Sequence, residues 1–284
     1  MNKVSELNTA SPRQALDANA GSDLRKVRVI GIYAHIDAGK TTTSEAILYL
    51  TGRIHRAGSV DEGNTQLDWM EQERERGITI TAAATTCSWR DHPIHLIDTP
   101  GHIDFTAEVM RSIRVIDGAV VVMCGVGGVE TQTETVWRQA EQQHLPRLIF
   151  INKLDRETAN FEQALASARK RLTPHAVALQ LPVGCGETFR GVIDLLEQKA
   201  LLWQPGEDDS LEAPIPPELV ESAQRARSDL LDAICETNES LLALRLDGIE
   251  PGLPELREAL RRATIAGQLT PLLYGSARKR CAIQ

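Results

Sequence analysis

The residues from 34 to 42 have the types and spacing of a phosphate-binding loop. They follow an apolar run and precede a helical pattern, which is the context that such a loop requires. Backbone N–H groups there can surround phosphate oxygens, the Lys40 ammonium can reach the β- and γ-phosphates, and the Thr41 hydroxyl can bind Mg²⁺. The usual pattern begins with Gly, whereas this one begins with Ala34. The residues assigned to the loop are Ala34, His35, Ile36, Asp37, Ala38, Gly39, Lys40, Thr41 and Thr42.

A second segment, at the end of another apolar strand pattern, has residues that suit metal and γ-phosphate binding. A carboxylate at Asp98 can hold Mg²⁺, and a glycine at Gly101 lets a backbone N–H approach the γ-phosphate. In isolation the segment also reads as a turn that ends a strand. Its residues are Asp98, Thr99, Pro100, Gly101 and His102.

Two further segments suit recognition of a guanine base. The carboxylate of Asp155 can accept both N1–H and N2–H of guanine, which adenine cannot offer. The segment from 275 to 277 can donate backbone N–H groups to the guanine oxygen. The residues are Asn152, Lys153, Leu154 and Asp155, followed by Gly275, Ser276 and Ala277. Because all four segments follow predicted strands in the order phosphate, metal, base, the sequence predicts a GTP site at the carboxyl edge of a sheet.

The elements that must position these residues are those of an α/β protein. Short apolar runs alternate with helical stretches, which predicts a mostly parallel sheet with helices on both faces. Residues 53–77 are charged and read as a long surface loop. The predicted strands are 27–34, 79–89, 94–98, 119–124, 147–152 and 271–274, and the predicted helices are 40–50, 104–116, 131–143 and 160–172.

The chain departs from simple alternation within residues 158–270, which we interpret as an inserted α+β subdomain. Short β-like runs occupy 179–203, an acidic, Pro-rich surface loop is predicted at 206–217, and helices are predicted at 217–239 and 253–264. The nucleotide-binding domain is expected to span 25–284. Residues 1–24 are polar and read as a disordered tail.

Composition narrows the function classes. The net charge of −8 disfavours general binding of free nucleic acid, and no apolar run is long enough to cross a bilayer. The N-terminal residues lack the apolar segment of a signal peptide. The five scattered cysteines show no metal or redox spacing, so free thiols in a reducing cytoplasm are expected. We expect a cytoplasmic monomer without membrane contact.

Further segments make the chain resemble the N-terminal GTPase domain of translation elongation factor G. The resemblance covers about residues 26–281 and includes the predicted insertion. One departure is Cys124-Gly125, where the family usually has Asp-Ala. The segments that carry the resemblance, besides the nucleotide motifs, are TGRIH at 51–55, DWMEQE at 68–73, RGITIT at 76–81, DGA at 117–119, ETVWRQA at 134–140 and FRGVIDL at 189–195.

The resemblance implies hydrolysis of GTP to GDP and phosphate, coupled on the ribosome to tRNA–mRNA movement. It implies that Thr79 closes over the nucleotide and binds Mg²⁺, so the metal ligands would be Thr41, Thr79 and Asp98. His102 would position the attacking water, and Ile36 with Ile78 would keep its ring away until a partner rearranges the site. The implied catalytic residues are His102, Asp37, Lys40 and Gly101.

Three alternatives remain open from the sequence. One is the corresponding domain of a ribosome-recycling or ribosome-protection paralogue. Another is a regulatory module that binds guanine nucleotide but hydrolyses little of it. The third is a metabolic enzyme that uses ATP, which the motif at 152–155 disfavours. Because relatives of this kind continue through further domains, we expect either a fragment of a longer protein or an unusually short natural product.

Overall fold

The computed structural model describes residues 23–58, 65, 67, 79, 82–99 and 111–284. The predicted tail therefore lies almost wholly outside the described residues, as do much of the predicted loop at 53–77 and most of the predicted helix at 104–116. Within the described ranges, no helix combines the length and the apolar character needed to cross a bilayer.

A seven-stranded sheet forms the centre of the described part of the chain. Its strands are β1 (Arg28–Ala34), β2 (Ala83–Trp89), β3 (His92–Asp98), β4 (Gly118–Cys124), β5 (Arg147–Asn152), β6 (Ala176–Ala178) and β11 (Thr270–Tyr274). They follow the order β2-β3-β1-β4-β5-β11-β6, and neighbouring strands run parallel except β2, which pairs antiparallel with β3 at one edge. The prediction of a mostly parallel sheet is confirmed.

Both faces of this sheet are covered because its inner strands are apolar at nearly every position, so that apolar side chains lie on both faces. On one face Ile32 and Val122 pack with Leu48 of the first helix, and on the other Val121 packs with Trp137 of the second. The covering helices are α1 (Lys40–Leu50), α2 (Thr131–Gln142) and α3 (Phe161–Arg171). The Asn160 side chain accepts a hydrogen bond from the Gln163 N–H and so caps α3.

A second, antiparallel sheet and three helices lie between β6 and β11 in the sequence. The elements are β7 (Gln180–Val183), β8 (Gly191–Asp194), β9 (Lys199–Trp203), β10 (Ser210–Ala213), α4 (Val220–Cys235), α5 (Glu239–Leu246) and α6 (Leu253–Ile265). The four strands follow the order β10-β9-β8-β7 within the described residues. A separate apolar core that includes Ile193, Leu230, Ile234 and Leu256 joins this sheet to its helices.

Two details of this region differ from the sequence interpretation. The predicted surface loop at 206–217 contains β10, which pairs antiparallel with β9 from Ser210↔Trp203 to Ala213↔Ala200. A polar segment becomes a strand here because its partner supplies the backbone hydrogen bonds. The short helix α5 was not predicted. All five cysteines lie in the described part of the chain and are free thiols, as expected.

Candidate functional site

The phosphate-binding loop joins β1 to α1 and turns at a left-handed glycine. Gly39 has φ +91°, and a Cβ there would lie 2.4 Å from the Nδ2 atom of Asn152. That Nδ2 atom donates a hydrogen bond of 3.0 Å to the carbonyl oxygen of Ala38. The ammonium of Lys153 donates to the carbonyl oxygen of Asp37. The segment at the end of β5 thus supports the backbone of the phosphate loop directly.

The Lys40 ammonium lies among oxygen atoms from three separate segments. Its Nζ is 2.5 Å from Oδ2 of Asp98, 2.9 Å from Oγ1 of Thr79 and 3.5 Å from Oγ1 of Thr41. The two threonine hydroxyl oxygens are 3.3 Å apart. Ser44 donates a hydrogen bond of 3.0 Å to the other Asp98 oxygen and so fixes the carboxylate. All five side chains are buried.

This arrangement tests whether the implied Mg²⁺ fits. The ammonium is a cation that already contacts the carboxylate and both hydroxyls expected to bind the metal. Hard oxygen atoms are the ligands that Mg²⁺ prefers, and Mg²⁺ usually takes only one or two protein carboxylates. The donor set of one carboxylate and two hydroxyls thus fits Mg²⁺ bound together with phosphate oxygens. The part of the chain that the structure describes has no group of three or more His, Cys, Asp or Glu side chains that could hold a metal ion.

The two base-recognition segments form one unit. Ser276 donates a hydrogen bond of 2.6 Å from its hydroxyl to Oδ1 of Asp155. The backbone N–H of Ala277 donates a bond of 2.9 Å to Oδ1 of Asn152. Asn152 therefore contacts the phosphate loop through its amide nitrogen and the loop after β11 through its amide oxygen. The N–H of Leu154 also donates to the carbonyl oxygen of Gly275 at 3.3 Å.

Three of the predicted site residues have structural contacts that limit what they can present to a ligand. The Thr99 hydroxyl donates to the carbonyl oxygen of Ile32 at 2.8 Å. The side chain of Leu154 is buried in the apolar core. A Cβ on Gly275 would lie 2.9 Å from the ring of Phe150, so only glycine allows this close approach.

The structure describes some of the remaining predicted site residues and leaves others outside the described ranges. Ala34 ends β1 and is buried, and Thr42 lies half-buried in the first turn of α1. Four residues lie outside the described residues, namely Ile78, Pro100, Gly101 and His102.

The sequence analysis did not identify two residues at the start of α2 that contact the phosphate loop. The buried His35 ring contacts Oε1 of Glu130 through Nε2 at 2.9 Å. The backbone N–H of Ile36 donates to Oε1 of Gln132 at 3.2 Å. Burial lowers the pKa of His35, and the Glu130 carboxylate opposes that effect. Both partners flank the start of α2, about a hundred residues later in the chain, so no local pattern signals the contacts.

A buried carboxylate on α1 was missed as well. Glu45 accepts hydrogen bonds from the backbone N–H of Gly58 at 2.9 Å and from that of Leu67 at 3.2 Å. A carboxylate in an apolar setting needs such donors to offset its lost hydration. Glu45 thus ties described parts of the long loop to the helix that follows the phosphate loop.

Together, the fold and site define the class of P-loop nucleotide-binding domains of the guanine-specific type. The strand-to-helix loop, the acidic residue ending β3 and the paired segments after β5 and β11 all meet at one edge of the sheet.

Comparison with known proteins gives the particular family. Residues 25–284 match the family described as the elongation factor Tu GTP binding domain, and the chain belongs to this family. It is 52% identical over 263 residues to elongation factor G of Fervidobacterium nodosum, covering 92% of this chain and 38% of that protein. A crystal structure of a protein from Thermus thermophilus superposes with a TM-score of 0.85 and 32% identity, over 91% of this chain and 38% of that one. The chain therefore spans about two fifths of the length of these relatives.

Proposed function

We propose that this chain is the GTP-binding and GTP-hydrolysing part of a ribosomal translocase that resembles elongation factor G. One observation carries the proposal: Asn152 bonds to the Ala38 carbonyl and the Ala277 N–H with one side-chain amide. The phosphate loop and the base loop are thereby held in one site. The identity to elongation factor G supports the ribosome as the partner.

In the proposed site, each residue binds or orients one part of GTP. Backbone N–H groups at the start of α1 bind the phosphates, and the Lys40 ammonium exchanges Asp98 for phosphate oxygens. Asp155 accepts the base N–H groups, with Ser276 holding its carboxylate. Thr41, Thr79 and Asp98 would hold Mg²⁺, which when bound neutralises phosphate charge.

Hydrolysis follows from positioning rather than from a covalent intermediate. His102 orients water for in-line attack on the γ-phosphate, and Gly101 presents its N–H to that phosphate. Asp37 helps to place the catalytic assembly, and Ile36 and Ile78 keep the His102 ring away until the ribosome rearranges the site. Slow intrinsic turnover is the consequence, because water is then not held for attack.

We also propose the organisation and setting of the chain. The second sheet and its helices are an insertion in the domain that spans 25–284, and the region around 158–270 contains it. Because β6 pairs with β11 in the main sheet, the inserted elements themselves begin with β7. The domain works as a monomer in the cytoplasm, without membrane contact or free nucleic acid.

Two measurements test the proposal. Competition against a fluorescent GDP analogue is expected to give much tighter binding for GDP than for ADP, and equal affinities would refute a guanine site. Single-turnover GTP cleavage is expected to rise when ribosomes are added to the protein that contains this chain. Cleavage that stays negligible in that protein with ribosomes would instead identify a regulatory module.

The catalytic assignment has its own test in the same assay. The variant His102→Ala is expected to keep GTP affinity but to lose stimulated cleavage. His175→Ala is the control, because His175 is exposed and lies just before the amino end of β6, whereas the nucleotide segments follow the carboxyl ends of their strands. Stimulated cleavage at the wild-type rate in His102→Ala would contradict the role given to His102.

A further inference from the structure

Side chains from three separate elements meet beside the guanine-recognition loop, residues 275–277. Asp208 lies in the hairpin between β9 and β10, Arg280 lies just after the loop, and Tyr49 lies near the end of α1. The Arg280 Nε atom donates to Oδ1 of Asp208 at 2.5 Å. The guanidinium carbon lies 4.9 Å from the Tyr49 ring centroid, and the nearby Asp208 carboxylate raises the pKa of the Tyr49 hydroxyl.

Further hydrogen bonds fix the position of Asp208. Its own backbone carbonyl accepts a hydrogen bond of 3.1 Å from Nε1 of Trp203 and another from the Gln284 side chain. Burial raises the pKa of Asp208, but the hydrogen bonds from Arg280 and Tyr49 outweigh that effect and hold it below its ordinary value. The carboxylate is therefore ionised at neutral pH and faces the guanidinium as a full charge.

The position of Arg280 sets the shape of the turn that follows the guanine-recognition loop. Its backbone has φ +53° and its N–H donates to the Ala277 carbonyl at 3.2 Å. Ser276 and Cys281 exchange two backbone hydrogen bonds of 3.0 and 3.1 Å around this turn. An arginine in a left-handed conformation is held there by its surroundings rather than by its own preference. Its side-chain partner Asp208 is part of those surroundings.

The same turn orients the carboxylate that is to recognise guanine. The Ser276 hydroxyl donates to Asp155 at 2.6 Å and accepts from the Lys279 N–H at 3.2 Å. Asp208 is thus linked to Arg280 by a hydrogen bond, Arg280 to the adjacent Lys279 by the backbone, and the Lys279 N–H to Asp155 through the Ser276 hydroxyl. Of the three consecutive basic residues Arg278, Lys279 and Arg280, one therefore has a specific acidic partner.

We propose that Asp208 is a positioning residue for guanine recognition, acting through Arg280 on the guanine-recognition loop. The inserted sheet thereby tunes how tightly the base is held. The inference rests on the proposed function, because it names a further residue that governs the same guanine site. Asp208 does not touch the nucleotide in this account; it holds the turn that presents Ser276 to Asp155.

The experiment compares Asp208→Asn with Asp209→Asn in the 284-residue chain. Asp209 is the neighbouring exposed aspartate, so the control removes the same charge from the same hairpin. The dissociation rate of a fluorescent GDP analogue is expected to rise in Asp208→Asn by up to about fivefold, the upper end of what a partly exposed ion pair contributes. Asp209→Asn is expected to match the wild type. Equal rates in both variants would overturn the proposal.

Base selectivity separates positioning from a merely structural role. Inosine diphosphate lacks the 2-amino group, so its base can donate only N1–H to Asp155, whereas GDP donates both N1–H and N2–H. Displacement of Asp155 therefore removes one hydrogen bond from inosine diphosphate and two from GDP. The preference for GDP over inosine diphosphate is therefore expected to fall in Asp208→Asn. An unchanged preference together with a lowered melting temperature would show a structural role only and would overturn the inference.

A double-mutant cycle tests the route through Arg280. Arg280→Gln is expected to speed GDP dissociation as Asp208→Asn does, and the double variant is expected to be no faster than either single variant. Fully additive effects on the dissociation rate would show that Asp208 does not act through Arg280.

Tyr49→Phe removes only the hydroxyl and is expected to raise the GDP dissociation rate by a smaller factor. A wild-type chain without preference for GDP over ADP would refute the proposed function itself, whereas selective wild-type binding with unaffected variants would refute this inference alone.

Discussion

The ammonium nitrogen of Lys40 lies 2.5 Å from the carboxylate oxygen Oδ2 of Asp98, and both side chains are buried. The pair links the first turn of α1 to the end of β3, which pairs directly with β1. A buried charge that loses its partner is costly, by about 3–5 kcal/mol. Lys40 can therefore leave Asp98 only when another anion takes its place, and a nucleotide phosphate is such an anion.

Asp98→Asn is expected to weaken the Mg²⁺ dependence of GTP binding. The neutral amide replaces the carboxylate proposed as a metal ligand, so affinity in the presence of Mg²⁺ should fall by about tenfold or more. The measurement is titration of a fluorescent GTP analogue with Mg²⁺ and with a chelator. Asp91→Asn is the control, because Asp91 is exposed in a turn at φ +62°, a conformation that asparagine also adopts. An equal loss of affinity with and without Mg²⁺ would contradict the assignment.

Gly39→Ala is expected to abolish nucleotide binding, whereas Gly52→Ala is not. Both glycines have positive φ, so each substitution adds about 1 kcal/mol of backbone strain. Only at Gly39 does the new methyl group meet another side chain, at 2.4 Å from Asn152, whereas nothing lies within 4 Å at Gly52. Thermal unfolding and GDP binding measure the two effects separately. GDP binding by Gly39→Ala at wild-type affinity would show that the Asn152 contact is dispensable.

Asp155→Asn is expected to change the preferred base from guanine to xanthine. Asparagine can donate to the 2-oxygen of xanthine, where the carboxylate would repel it, and it loses one acceptor for guanine. The GDP affinity is expected to fall by at least about a hundredfold relative to the xanthine nucleotide. Competition between the two diphosphates measures this ratio, with the exposed Asp229→Asn as control. An unchanged preference for GDP would refute the base contact.

His35 is expected to make the stability of the domain fall in mild acid. Its pKa lies below the ordinary value of 6.5 because burial disfavours the imidazolium, with Lys153 acting in the same direction and Glu130 and Asp37 opposing. As the pH falls below about 6.5, the unfolded chain takes up a proton that the folded chain resists. The contribution of neutral His35 to the free energy of unfolding is therefore fully present above about pH 6.5. It is lost as the pH falls toward the pKa of His35 in the folded chain.

The measurement for His35 is the melting temperature at about pH 7.5 and about pH 5.5, on either side of the ordinary histidine pKa. The decrease is expected to be smaller in His35→Gln, which cannot titrate, than in the wild type. His175→Gln, at an exposed histidine, is expected to behave as the wild type. The same decrease in all three proteins would show that His35 does not control the acid sensitivity.

The local elements of the main sheet were predictable because each is determined by its own pattern. The helix at 40–50 and the strand at 147–152 have the predicted bounds, and the helix predicted at 131–143 ends one residue earlier, at Gln142. The three-residue strand β6 was not predicted, since only its pairing with β11 makes it a strand. Sequence patterns identify elements with strong periodicity and miss those that a partner creates.

For the candidate site, too, sequence patterns predicted some residues and missed others. The segments that supply Lys40, Asp98, Asn152 and Ser276 were predictable because loop motifs at strand ends have characteristic residues. The residues that hold these segments, such as Gln132 and Asp208, were not, because each contact joins parts of the chain far apart in sequence. Their side chains are ordinary surface types, and only the fold shows which of them have a specific partner.

The order of the strands also affects how the domain is made on the translating ribosome. Asn152 and Ala277 bond across 125 residues of sequence, and the four-stranded antiparallel sheet must be synthesised between them. At about 5–20 residues per second, that interval takes roughly 6–25 seconds. During this time the nascent chain already contains the phosphate loop and Asp155 but lacks Ser276, which holds the Asp155 carboxylate. The guanine-binding carboxylate is thus oriented only at the end of synthesis of this domain, after the part that binds phosphate.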